Sequence, residues 1–259
     1  MQGFLALSRR AIGKARRLSS EAFLAFPKLR ECNICGWRGR RFLSDEWHPF
    51  TICPGCRSQV RRRLLIAALA GIAEVSFAKI VDGKKVLHFA PEAVLKDVLR
   101  GRAGLYLTAD FTRTDVDRQL DLSDLSALAA ETFDLLIACD VLEHVPDDHR
   151  AMREIHRVLR QGGYAILTVP QQDGLAETFE DATITDPRER ERVFGQWDHL
   201  RIYGASFPQL LEAAGFKVTV IDERDFSEVQ VKRWVLFPPV LSDKPLATNY
   251  RKVFFARKV

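Results

Sequence analysis

Phe133-Asp134-Leu135-Leu136-Ile137-Ala138-Cys139-Asp140-Val141-Leu142-Glu143-His144-Val145-Pro146-Asp147-Asp148 changes character at Asp140. The first seven residues, apolar but for Asp134, read as a strand of the buried type, and a loop carrying carboxylates, a histidine and a proline follows. A helical pattern then occupies residues 147–159. Working outward, strands are predicted over 85–90, 104–109, 164–169, 217–221 and 252–257, with helices over 91–100 and 207–214. Strand and helix in repeated alternation predict an α/β domain whose mostly parallel sheet carries helices on both faces. In such sheets ligands bind outside the carboxyl ends of the strands.

Those ends hold acidic groups. The strand over 104–109 runs into Asp110, placed to accept hydrogen bonds from ribose hydroxyls. Asp121, in Leu120-Asp121-Leu122, is within reach of an exocyclic amine such as adenine N6. Asp140 closes the strand quoted above.

Residues 84–258 resemble a class I S-adenosylmethionine-dependent methyltransferase of the type 11 kind. The resemblance is carried by 133–148 and by Glu154-Ile155-His156-Arg157-Val158-Leu159-Arg160-Gln161-Gly162-Gly163-Tyr164. It implies a Rossmann-like seven-stranded sheet whose last strand, 252–257, is antiparallel and inserted beside 217–221. It also implies that Asp110 holds the cofactor ribose, that Asp121 and Leu122 flank the adenine, and that Asp140, Val141 and Leu142 line the floor, with His144 as a helix-start or pocket residue.

One turn departs from the family. Its first strand normally ends in glycines that admit the methionine moiety, whereas this chain has His88-Phe89-Ala90-Pro91-Glu92. Pro91 is expected at the first helical position and Glu92 in the first turn. A subfamily with this turn, an upstream CxxC pair and a block like Phe194-Gly195-Gln196-Trp197-Asp198-His199-Leu200-Arg201-Ile202-Tyr203-Gly204 is similar to the chain over nearly its full length.

Methyl transfer is an in-line displacement, so positioning and removal of an acceptor proton are the main demands. The long connection 170–205 supplies candidates. His199 is the expected general base, oriented by Asp198 or another carboxylate, with Tyr203 nearby; the competing reading is a histidine that braces the loop. Arg188, Arg190, Arg192 and Arg201 either bind an anionic substrate or, interleaved with Glu189 and Glu191, form a solvated helix face. The segment 222–250 reads as a lid over the acceptor or as packing for the sheet edge.

Upstream, Cys32-Asn33-Ile34-Cys35 and Cys53-Pro54-Gly55-Cys56 are two CxxC pairs separated by 17 residues. Cys32, Cys35, Cys53 and Cys56 have the spacing of a structural zinc knuckle, with a redox pair as the competing reading. Trp37, Phe42, Trp47 and Phe50 either pack this knuckle or stack bases. Cys139 reads as a buried thiol, and free thiols beside a metal site point to a reducing, cytoplasmic setting. The run Arg61-Arg62-Arg63 before an apolar helix needs carboxylates, or a phosphate, to hold its charge.

Charge is uneven. Residues 1–63 hold 14 Lys and Arg against 4 Asp and Glu, while the whole chain of 259 residues has 39 against 34. Residues 1–30 are basic and amphipathic; they fit a helix packed on its own domain, a transit peptide, or a helix on an anionic membrane. The organisation expected is therefore residues 1–30 as this segment, 31–63 as the knuckle, 64–83 as a linking helix and 84–259 as the methyltransferase domain. The longest apolar stretch, 64–73, is about half of what a membrane span needs.

The favoured function is S-adenosylmethionine-dependent methylation of a hydroxyl or amine on a small molecule or glycan. An RNA methyltransferase whose basic zinc module, residues 1–63, grips the phosphate backbone is the alternative. No Asn-Pro-Pro-aromatic motif follows Cys139, which counts against it. A third reading is a non-catalytic interaction protein on the same sheet.

Overall fold

The computed structural model describes residues 29–259; the basic stretch 1–28, nearly all of the expected amphipathic segment, lies outside the described residues. Two short antiparallel strands, β1 (Arg30–Glu31) and β2 (Arg38–Gly39), bracket the first CxxC turn. A single antiparallel bridge, Leu43 to Ile52, brings in the second. Helix α1 (Val60–Gly71) follows, then a short α2 (Phe77–Ile80), so the linker is two helices rather than one over 64–83. Residues 63–69 of α1 are all buried, because the helix is sandwiched between knuckle and sheet.

The alternating elements come next: β3 (Lys85–Phe89), α3 (Ala93–Arg100), β4 (Leu105–Asp110), β5 (Arg118–Gln119), β6 (Phe133–Cys139), α4 (Asp148–Val158) and β7 (Leu159–Thr168). After them the chain forms β8 (Phe179–Glu180), α5 (Pro187–Phe194), β9 (Arg201–Ile202), α6 (Phe207–Ala213), β10 (Phe216–Ile221), α7 (Glu228–Trp234) and β11 (Val253–Lys258). Seven strands form one sheet in the order β10-β11-β7-β6-β3-β4-β5. β11 is antiparallel to both its neighbours and the remaining pairings are parallel.

Side-chain alternation divides the sheet into two cores. Leu87, Phe89, Leu136 and Ala138 face Met152 and Ile155 of α4 and Phe207 and Leu211 of α6. Val86, Leu135, Ile137 and Cys139 face Leu64 to Leu69 of α1 and Leu95 and Leu99 of α3. Helices thus cover both faces, and the carboxyl end of β6, at Asp140, opens toward the knuckle residues Asp45, Trp47 and His48.

Two boundaries differ from expectation. The helix expected from Pro91 starts at Ala93 with Glu92 as its N-cap, so Pro91 precedes the cap. The cause is Ala90, whose φ of +46° turns the chain before it can enter the helix. The strand expected over 164–169 begins at Leu159, because the Gly162-Gly163 pair stays within the strand. A Cβ on Gly163 would meet the Arg160 carbonyl at 2.9 Å and the Asp134 carbonyl at 3.1 Å. Among the described residues no helix is long and apolar enough to cross a membrane.

Candidate active site

The knuckle consists of two matching turns. Cys32 N donates to the Trp37 carbonyl and Gly36 N to the Cys32 carbonyl; in the second turn Cys53 N donates to the Ser58 carbonyl and Arg57 N to the Cys53 carbonyl. Gly36 and Arg57 take the same left-handed conformation, φ +74° and +62°, which costs the arginine what glycine adopts freely. The four sulfurs lie within 4.8 Å of one another, Cys32 to Cys56 and Cys35 to Cys53 at 3.6 Å. Tetrahedral zinc with thiolates at about 2.3 Å needs sulfurs about 3.8 Å apart, so the donor set fits a structural zinc with no open position. Ser58 Oγ lies 3.2 Å from Cys56 Sγ and 3.5 Å from Cys32 Sγ. Burial pushes the Cys56 thiol up, but the Ser58 hydroxyl and amide and the neighbouring thiols draw it down to about 7.

Helix α1 delivers its arginines to two places, Arg61 and Arg62 to the strand ends and Arg63 to the knuckle, since successive residues on a helix are about 100° apart. Arg61 reaches across the strand ends: its Nε is 2.9 Å from Asp140 Oδ2 and its Nη2 3.3 Å from Glu92 Oε1. Arg62 also pairs with Glu92. Carboxylates therefore hold these two. Arg63 is fully buried without a carboxylate partner among the described residues and donates to the carbonyls of Thr51, Ser58, Trp234 and Val235, with Phe42 beneath its guanidinium at 4.6 Å. Burial lowers it to about 10.

At the cofactor end, Asp110 Oδ1 accepts from Thr112 N and Arg113 N at 2.9 Å, and Oδ2 has no hydrogen-bond partner among the described residues. That second oxygen fits the two hydroxyls of a ribose. Asp121 likewise spends Oδ1 on Ser123 N and Oγ, and Leu122 beside it is buried. Ala90 at φ +46° keeps the left-handed turn without glycine, and Asp140 ends β6 in the same region at +51°. Asp140 Oδ1 accepts from Thr168 Oγ1 at 2.7 Å. Burial pushes the Asp140 carboxyl up, but Arg61, Arg251 and that hydroxyl hold it below the usual range.

The other residues expected to bind the cofactor, the turn His88, Phe89, Ala90, Pro91 and Glu92 with Val141 and Leu142, are spread over several environments. Phe89 is core, and Pro91 is buried with its carbonyl accepting from Arg113 Nη1. Leu142 is core, and Val141 packs against it. His88 lies on the opposite sheet face from Leu87 and Phe89, its Nδ1 2.6 Å from Tyr106 Oη, so it does not join the cluster at the strand ends. Burial holds it neutral, down to about 3.

Beside Asp140 lies a cleft of about 370 Å³ lined by Asp45, Trp47 and His48 of the knuckle and by Phe194 and His199 of the long connection. Leu246, Thr248 and Arg251 form part of its lining, so the end of the 222–250 segment borders the cleft. The beginning of that segment, α7, docks on the knuckle through Arg233 and Glu31, 2.6 Å apart. His199 Nδ1 lies 3.1 Å from the Phe194 carbonyl, and since a carbonyl only accepts, Nδ1 donates. Burial draws His199 below the ordinary imidazole range. Asp198 does not touch His199; its Oδ2 lies 3.2 Å from His144 Nδ1. A tight turn, His199 N to the Gln196 carbonyl at 3.2 Å, points the adjacent side chains apart. The His144 and His199 rings meet edge to face at 4.8 Å. Glu143 beside them is buried, and burial together with the charge of Asp140 pushes it well above the usual carboxylate range.

Tyr203 and Arg201 have their side chains inside the protein. Tyr203 is fully buried and donates to Asp148 Oδ2 at 2.7 Å. Arg201 is also buried; it donates to the carbonyls of Leu142, Val145 and Pro146 and to Glu180 Oε2 at 2.8 Å. Of the other insertion arginines, Arg192 pairs with Glu189 and Arg190 donates to the Ile184 carbonyl. The residues that sequence reasoning missed are Glu143 and Arg251; Arg63 and Arg201 were singled out, but for anionic partners or a solvated face, and both are buried on backbone carbonyls. The one signal for Arg63 was its place against a helix face with no polar side.

Residues 85–167 match the family described as a methyltransferase domain. No curated protein matches the chain. Among solved structures, an S-adenosylmethionine-dependent methyltransferase from Mesorhizobium loti is similar at 18% identity and a TM-score of 0.48, over 73% of this chain and 100% of that one. One from Archaeoglobus fulgidus is similar at 14% identity and 0.48, over 76% and 94%. A Burkholderia thailandensis 1,6-didemethyltoxoflavin-N1-methyltransferase, solved with S-adenosylhomocysteine, is similar at 16% identity and 0.47, over 75% and 79%. With the seven-strand order, the antiparallel β11 and the matched segment together, the chain carries a class I S-adenosylmethionine-dependent methyltransferase domain.

Proposed function

We propose that this domain methylates a hydroxyl or amine of a small polar molecule or a single glycan unit. The observation that carries the reading is the cleft: knuckle residues Asp45, Trp47 and His48 close one side of it and leave about 370 Å³, near the lower end of small-molecule sites. The lining is charged and polar, with Arg61, Arg251, Asp140 and Glu143 among its groups. Such a wall suits a hydrophilic acceptor and excludes a duplex.

Bound S-adenosylmethionine supplies a methyl group on a sulfonium. Asp110 Oδ2 would accept from its ribose hydroxyls and Asp121 from its adenine amine. On the acceptor side, His199 keeps Nδ1 on the Phe194 carbonyl, which leaves Nε2 as the nitrogen with a lone pair for the acceptor's proton. Asp198 steadies His144, and Tyr203 with Asp148 holds the loop from beneath. The zinc-ligating thiols and the buried free Cys139 support a reducing, cytoplasmic setting.

The test is calorimetric titration of the zinc-loaded protein with S-adenosylhomocysteine. Micromolar binding that is lost in Asp110→Ala is expected; no heat from the wild type would overturn the reading. One observation favours RNA as a second reading: Arg38, Arg40, Arg41 and Arg57 are exposed on the knuckle, with Arg41 over the Phe50 ring at 4.6 Å. RNA binding whose log affinity falls steeply with log salt would select it.

A further inference from the structure

Glu143, His144 and His199 converge at the cleft, one ligand-capable atom of each within 4.8 Å of the others. Three observations set this group apart from ordinary crowding. Glu143 is 1% exposed, yet its Oε2 has no hydrogen-bond partner among the described residues. A buried carboxyl oxygen without a protein partner is costly unless a ligand or solvent meets it, and this one lies at the cleft, open to one. Each imidazole, moreover, has one nitrogen already engaged: His144 Nδ1 faces Asp198 Oδ2 at 3.2 Å and His199 Nδ1 faces the Phe194 carbonyl at 3.1 Å. Metal-ligating histidines are held in this way, one ring nitrogen on a carboxylate or carbonyl and the other on the ion.

The backbone fixes the donors as well. Glu143 and His144 share the single 3-10 turn Leu142–His144, and Leu200 N donates to the Glu143 carbonyl at 2.9 Å, tying that turn to the strand of residues bearing His199. Arg201 clamps the same turn through the Leu142 and Val145 carbonyls. Residues more than fifty positions apart are thereby set in register before any ligand arrives.

The geometry points to a second metal site, distinct from the four cysteines: Glu143, His144 and His199 bind a divalent first-row transition cation whose open positions face the cleft. Two imidazoles and one carboxylate suit zinc, manganese or ferrous iron, and three protein ligands leave room for an oxygen of the acceptor. The consequence for the reaction rests on the methyltransferase reading above. A cation there would occupy the lone pair that the base role of His199 uses; a coordinated acceptor hydroxyl would then be acidified by the metal, and its proton would pass to solvent at the open side of the cleft instead of to the imidazole.

The test uses the full chain with zinc in the knuckle, titrated with Mn²⁺ and followed by the electron paramagnetic resonance of the free ion, with S-adenosylhomocysteine calorimetry on the same samples. The wild type should take up one Mn²⁺ per chain, and His199→Gln and the isosteric Glu143→Gln should each weaken uptake at least tenfold while binding S-adenosylhomocysteine as before. Retained S-adenosylhomocysteine binding excludes misfolding as the cause. No uptake by the wild type, or uptake unchanged in both variants, overturns the metal site; the methyltransferase reading fails separately, through the absence of S-adenosylhomocysteine binding.

Discussion

The zinc knuckle and the insertion 170–205 border one cleft from opposite sides, and each is pinned by a buried arginine, yet the two arginines are compensated differently. Arg63 faces four carbonyls and the Ser58 hydroxyl, with no carboxylate among the described residues, and the charges that favour its ionised form are those of Cys32, Cys53 and Cys56. Arg201 faces three carbonyls and two carboxylates, Glu180 and the buried Asp148. Burial pulls Arg201 down too, but Tyr203, Glu180 and Asp148 more than restore it. The buried core of the knuckle is Cys32, Phe42, Cys53 and a Val235 borrowed from beyond α7, whereas the insertion feeds Tyr203 into the main core. The knuckle therefore depends on its thiolates and metal both for its fold and for its anchor, and the insertion depends on neither.

The largest effect that would test this contrast is metal removal. Structural zinc in a four-thiolate site contributes on the order of 10 kcal/mol, so chelation, or Cys53→Ser, should unfold residues 30–58 and release Arg63. Proteolytic cleavage at Arg38 to Arg57, with the insertion still protected, is the expected pattern; equal exposure of both regions would break the comparison. A smaller effect separates the arginines directly. Arg201→Met leaves Asp148 buried without its cation and should cost about 3–5 kcal/mol, zinc-loaded or not. Arg63→Met strips four carbonyls of a donor, and its cost in a denaturant titration should be larger with zinc than without.

The smallest prediction takes the sheet as the reference for both appendages. His88 is held neutral to about 3, while the unfolded chain takes up that proton near 6.5, so between these values the unfolded state binds more protons. Stability should fall as pH drops through that window and show no contribution from His88 above it. His88→Gln keeps a partner for Tyr106 and should flatten the fall in a thermal melt; an identical slope in wild type and variant would remove His88 from the account.

The strands, their order of alternation and the two CxxC turns were legible because each rests on spacing within a short segment. The strand Phe133–Cys139 falls where its apolar run predicts, and four cysteines at zinc-ribbon spacing meet within 4.8 Å. Side-chain destinations were less legible. Arg61, Arg62 and Arg63 form one basic run in sequence, yet two share the Glu92 carboxylate and the third meets carbonyls and a hydroxyl, because helix geometry turns Arg63 away from the strand ends and into the knuckle. Asp198 was expected near His199 by adjacency and instead serves His144, since the turn at Gln196 separates neighbouring side chains.

The sequence by itself determined the elements, the zinc ligand set and the carboxylates at the strand ends, since periodicity, ligand spacing and turn chemistry act over a few residues. Only the tertiary structure decided that Glu143 and His144 meet His199, that Arg201 caps the loop after β6, and that Arg63 joins the knuckle to Trp234 and Val235. Those contacts span from about fifty to more than a hundred and seventy residues, and which loop folds over which strand end is settled by the packing of the whole sheet.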